Sequence, residues 1–150
     1  MDVSVSLARA ANVAGGHLDV LGLGWNIIGP SPLPSHVLLA SVSVPGDHAD
    51  RSVAFAFELR HGSGEPVILR DDDAAQPVQI SAEVVLPPAS AVPDGLQRET
   101  TAIVEIASGM TLEPGIYEWL VSVDGESRPD WRRRFYVRAK VDEYRSADAD

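Results

Sequence analysis

Four histidines, His17, His36, His48 and His61, are the side chains with the widest chemical range in this chain. Two histidines at His-x-His or His-x-x-x-His spacing would converge on a metal from one element. No such pair occurs, so a metal site would need the fold to gather them from distant segments. Each stands at the expected end of a strand or in a turn, where a solvated loop histidine is the plain reading. Cysteine is absent, which excludes disulfides, thiolate catalysis, zinc–cysteine sites and iron–sulfur clusters.

The acidic loops are Asp71-Asp72-Asp73 and Asp47-His48-Ala49-Asp50. Calcium takes about six to eight oxygens from a shaped loop, and Asp71, Asp72 and Asp73 are the best candidates to supply them. Neither loop has the glycine and distal glutamate of an EF-hand, so solvated turn residues are the simpler alternative. Ser63 lies in Gly62-Ser63-Gly64, which is too short for a nucleophile elbow and has no helical pattern behind it. Gly22-Leu23-Gly24 lacks the third glycine of a dinucleotide-binding turn, and no P-loop is present. The chain therefore reads as a non-enzyme, with no cofactor beyond the calcium candidate.

Arg132-Arg133-Arg134 is the one basic cluster of the sequence. On a strand, Arg133 shares a side with Trp131, Phe135 and Val137, whereas Arg132, Arg134 and Arg138 share the side of Tyr136. An inward Arg133 needs a carboxylate partner or a place at the sheet rim. Arg132, Arg134 and Arg138 either shield an exposed strand face with Glu118 opposite, or form a patch for carboxylates or an acidic partner.

The elements that would position these groups follow a period of two. The run Leu112 to Gly125 is the clearest: Pro114-Gly115 launches a strand, Tyr117, Trp119, Val121 and Val123 point to one side, and Asp124-Gly125 ends it. Such a strand suits the interior of a β-sandwich, with Tyr117 placed to cap its own corner through its hydroxyl. Val3 to Leu7, Leu38 to Val44, Val53 to Leu59, Val78 to Leu86, Ala102 to Ile106 and Trp131 to Val137 alternate in the same way. Pro66 to Arg70 is expected to be the hairpin partner of the Val53–Leu59 strand. Ala10 to Gly16 is expected to form a short helical turn or loop.

The segment His17 to Ile28 is expected to be extended. Its apolar phase slips between Val20 and Leu21, which suggests a β-bulge there. Leu21, Leu23, Trp25 and Ile27 then share one side. Facing inward they are core; facing outward they are interface candidates, with Trp25 as the anchor. The count is roughly 8–9 strands by this pattern reading. The expected fold is an all-β, antiparallel, immunoglobulin-like β-sandwich, with a closed β-barrel as the alternative. One domain is expected over residues 1–140, followed by a frayed acidic tail over 141–150.

Two phrases near the N-terminus, Leu7-Ala8-Arg9-Ala10-Ala11-Asn12-Val13 and Gly16-His17-Leu18-Asp19-Val20-Leu21-Gly22, are followed by a proline-centred loop at Leu33-Pro34-Ser35-His36. Together with the Pro114 to Gly125 strand, they resemble a bacterial domain family of unknown function. That family opens with Leu-Ala-Asp-x-Ala-x-Val and Gly-Lys-Leu-Asn-Val-x-Gly phrases and ends with a Pro-Gly-x-Tyr strand and an Asp-Gly turn. Arg9 stands where the family has Asp, and His17 where it has Lys. The resemblance implies a small β-sandwich and supplies no activity.

Twelve Lys and Arg against 22 Asp and Glu give a formal charge of -10. Such a surface repels phosphate backbones and anionic lipid, so neither nucleic acid nor a membrane is an expected partner. The start of the chain has no basic segment leading into an apolar run, and a cytoplasmic location is expected. The functional expectation is an interaction module acting by self-association or by binding another protein. The alternative is a calcium- or small-ligand-binding sandwich that uses its acidic loops.

Overall fold

Alternating apolar and polar residues leave each strand with one face to bury, and the architecture follows from pairing those faces. The computed structural model describes residues 1–47, 51–71 and 74–140. The strands are β1 (Asp2–Ala8), β2 (Ala10–Ala14), β3 (His17–Leu21), β4 (Ile27–Ile28), β5 (His36–Val44) and β6 (Ser52–His61), then β7 (Ile68–Asp71), β8 (Ala74–Pro77), β9 (Gln79–Val85), β10 (Arg98–Ile106), β11 (Gly115–Val123) and β12 (Glu126–Val137). The fold is thus all-β with 12 strands, and among the described residues its one helical segment is a 3-10 turn at Ala89–Ala91. No described helix is long and apolar enough to cross a membrane.

A three-stranded sheet runs β1-β5-β10, and a curled five-stranded sheet runs β4-β12-β11-β6-β9. Leu7, Leu38, Val42 and Ala102 from the first sheet meet Phe55, Phe57, Trp119, Val121 and Phe135 from the second in one buried cluster. Burying side chains of this size contributes about 1.5–3 kcal/mol each and drives the two sheets together. At the margins, β1 approaches β12 and β10 approaches β9 without joining their ladders.

The β11–β12 turn is Asp124-Gly125, with φ of 50° and 81°, the left-handed pair that a two-residue hairpin turn requires. It is tied down from outside: the Ala54 N–H donates to Asp124 Oδ1 at 3.0 Å, and Arg51 pairs with Asp124 Oδ2 at 3.1 Å. At the other end of β11, the Tyr117 hydroxyl donates to the Glu113 carbonyl at 2.7 Å, as the sequence led us to expect. Within the hairpin, Leu120 pairs with Arg132 but Ser122 pairs with Ser127, so β12 bulges opposite Val121. Pro129 lies in that bulge, where the ladder has no use for its missing N–H.

Several local expectations are overturned. Residues Ala10 to Gly16 form neither a helical turn nor a loop; β2 pairs with β3 around Gly15-Gly16. The apolar face of this hairpin explains why. Ala11 and Val20 pack onto Ala8, Val37 and Leu39 on the outer side of the three-stranded sheet. The phase slip near Leu21 marks the end of β3 rather than a bulge, and the chain turns through Gly22 to reach β4. β4 then pairs with β12 in parallel, an exception to the antiparallel pattern. Pro66 makes only an isolated bridge to Arg60, and the strand beyond it pairs with β8 instead of β6.

Candidate binding site

The turn between β3 and β4 is built from backbone contacts that only glycine allows. Gly22 has a φ of 64°, and a Cβ there would lie 3.1 Å from Arg9 Cβ. Gly24 has a φ of 90°, and its N–H donates to the Leu7 carbonyl at 2.9 Å. The Arg9 N–H donates to the Leu21 carbonyl at 2.9 Å. From the opposite side, Arg133 Nη2 donates to the carbonyls of Gly24 at 2.8 Å and Trp25 at 3.1 Å. Arg133 thus finds its partners in main-chain oxygens at the sheet rim, not in a carboxylate.

Pinned this way, Trp25 turns toward His36, their rings edge to face at 5.5 Å and 72°. His36 is buried at the head of β5, which corrects its reading as a solvated loop residue. Its Nδ1 lies 2.9 Å from the Pro34 carbonyl. A carbonyl only accepts, so Nδ1 carries the proton. Burial pushes the imidazole pKa below its ordinary value, and the bond to Pro34 opposes that shift more weakly. The ring is therefore neutral at pH 7.

Of the interface candidates, Trp25 is half-buried, whereas Leu21, Leu23 and Ile27 are 61%, 60% and 56% exposed. These three do not share one strand face, because residues 22–26 are a turn. Leu23 and Ile27 line a concavity of about 500 Å³ together with Trp25, His36, Arg9 and Arg138, whereas Leu21 lies outside it at the end of β3. The apolar rim continues across the five-stranded sheet. Ile27 pairs with Tyr136, and Tyr136 with Ile116, all three exposed on the same face.

Compared with known proteins, the chain matches no family model, no curated protein and no solved structure. The site's chemistry therefore stands on its own residues.

The basic patch does not hold together as one unit. Arg132 Nη1 pairs with Glu118 at 3.1 Å, and Arg134 Nε lies 3.6 Å from the same carboxylate oxygen. Arg138 stands apart at the concavity, with Nη2 donating to the Gly29 carbonyl at 2.6 Å. Asp72 and Asp73 lie outside the described residues, as do His48 and Asp50; of Asp71 only the backbone, at the end of β7, is described. Among the described residues no three His, Asp or Glu side chains converge on a metal position. His17 and His61 are exposed, with His61 tilted against Tyr117 at 5.2 Å.

A larger hollow of about 590 Å³ lies on the outer face of the five-stranded sheet. Its charges neutralise one another or their neighbours, Glu58 with Arg60 at 3.0 Å and Glu126 with Arg128 at 3.2 Å. Of its apolar lining, Phe57 and Val121 are buried in the core, and Ile80 and Leu120 are half-buried. Sequence reasoning did not assign Arg9, His36 or the burial of Glu118 to any site. The nearest signals were the glycine spacing 22-24-29 and the Pro34-Ser35-His36 phrase that leads into β5, whose first five residues are all buried.

Proposed function

We propose that this protein is an immunoglobulin-like β-sandwich that works without catalysis, by protein association through Leu21, Leu23, Trp25 and Ile27. The sandwich reading is supported by the strand order. One sheet carries β1-β5-β10 and the other β12-β11-β6-β9, the division of strands expected of that fold. The bond from Tyr117 to Glu113 at the entry to β11 supports it further. The resemblance of the N-terminal phrases to the bacterial family of unknown function is compatible with this reading.

The observation that carries the association reading is the exposure of Leu23 and Ile27 on the wall of one concavity beside Trp25, with Leu21 exposed next to the same turn. Exposed apolar residues scattered singly need no explanation, but a contiguous group beside an anchored tryptophan marks a contact surface. The test has two parts. Light scattering across a concentration series reads self-association. Selection of displayed peptides on the protein, with counter-selection on Leu23→Asp, reads binding of other chains. An oligomer that Leu23→Asp dissociates, or peptides that distinguish the two proteins, supports the reading. A monomer that yields no distinguishing peptide overturns it.

A further inference from the structure

We propose that the concavity beside Trp25 binds an acidic side chain flanked by apolar ones, presented on a segment of a different protein. This rests on the association reading of the same surface and adds the chemistry of the partner. The chain carries a formal charge of -10, yet the lining of this concavity includes Arg9 and Arg138 and no Asp or Glu. A cationic hollow in an acidic protein focuses an anion toward itself.

A glycine packs against the base of each arginine. Gly22 lies against Arg9, where a Cβ would approach to 3.1 Å. Gly29, with a φ of 104°, lies against the Arg138 backbone, where a Cβ would meet its nitrogen at 3.2 Å. The Arg138 N–H donates to the Ile28 carbonyl at 2.8 Å, which fixes the base of its side chain. The Arg9 guanidinium makes no hydrogen bond or ion pair with the described residues, so all of its donors remain for a ligand. The walls supplied by Leu23, Trp25 and Ile27 are apolar, which suits side chains flanking the acid.

A second copy of this chain is the poorer occupant. A two-fold contact through this surface sets each Arg9 and Arg138 near its symmetry mate, and like charges facing each other oppose docking. An acidic segment of another protein has no such penalty.

The test compares two capped pentapeptides, Ala-Leu-Asp-Leu-Ala and the same sequence with Asn at its centre. Binding is followed by nitrogen–proton NMR of the Gly22, Gly24 and Gly29 amides, alongside light scattering. The Asp peptide is expected to bind about tenfold more tightly than the Asn peptide, with the difference shrinking in high salt. Arg9→Gln leaves the fold without a lost bond and is expected to abolish the difference, as is Arg138→Gln. Equal binding of the two peptides, no shifts at these glycines, or indifference to Arg9→Gln would overturn the proposal. A dimer built through Leu23 would also overturn it while leaving association through this surface intact.

Discussion

The Arg133 guanidinium donates to the Trp25 carbonyl at 3.1 Å and to the Gly24 carbonyl at 2.8 Å, joining the last strand to a turn more than a hundred residues earlier. β4 pairs only with Tyr136 and Val137, so the turn that precedes it gains no ladder from β12 at Arg133. The side chain supplies what the ladder does not. Arg133→Met keeps much of the apolar stem and removes both donors. It is expected to destabilise the protein by about 1–3 kcal/mol and to speed hydrogen exchange at the Gly24 amide. Unchanged exchange there would show that the backbone bonds at Leu7, Leu21 and Asn26 hold the turn without Arg133.

Period-two alternation made the central strands readable, because each buries one face in a common core. The same rule failed between Ala10 and Ile28. There the hairpin packs on the outside of a sheet through only Ala11 and Val20, and the chain then changes sheets at glycines. A slip of apolar phase cannot by itself separate a bulge from the end of a strand; the positive φ of Gly22 decides it. The interface candidates lie close together in the fold, but their shared face was assumed from a strand that is not there. His36 was misread because its partners, Trp25 and Pro34, come from a turn and a loop that have no periodic signal.

Tyr117→Phe tests the corner at the head of β11. The hydroxyl is the only group lost, and the Glu113 carbonyl loses its donor. The expected cost is about 1 kcal/mol, seen as a melting shift of about 2–4 °C. An unchanged melting curve would mean that ring packing against Phe135, at 5.8 Å between centroids, is the whole contribution of the residue.

His36 predicts a pH dependence with a definite sign. Its pKa is lowered in the folded protein from the ordinary 6.5, first by burial. The unfolded chain therefore takes up the proton before the folded one does. Above the unfolded value neither state is charged and the group has no pH effect. As pH falls below about 6.5 the unfolded state gains protons first, and stability declines until the folded-state pKa is passed. His36→Phe keeps a ring against Trp25 and cannot titrate. It is expected to lower stability by a pH-independent amount and to flatten the profile just below that pH. A profile as steep as the parent's would assign the acid sensitivity to other groups.

Glu118 and its two arginines predict an asymmetry. The carboxylate side chain is 7% exposed, whereas Arg132 and Arg134 are 43% and 50% exposed. Removing the acid frees two guanidinium groups that water can already reach, so Glu118→Gln is expected to cost only about 1 kcal/mol. Removing both bases leaves a carboxylate in the sheet face with neither partner nor full hydration. The double change Arg132→Ala/Arg134→Ala is expected to cost about 2–3 kcal/mol, the cost of stranding a buried charge discounted for the exposed partners. It also breaks the bond from Arg134 to the Gly62 carbonyl at 3.1 Å, so Arg132→Ala alone serves as a control in which that bond survives. Urea unfolding of the three variants at low and high salt separates the terms. Equal losses for Glu118→Gln and the double variant would mean that Arg60, its register neighbour on β6, takes over as the counter-charge.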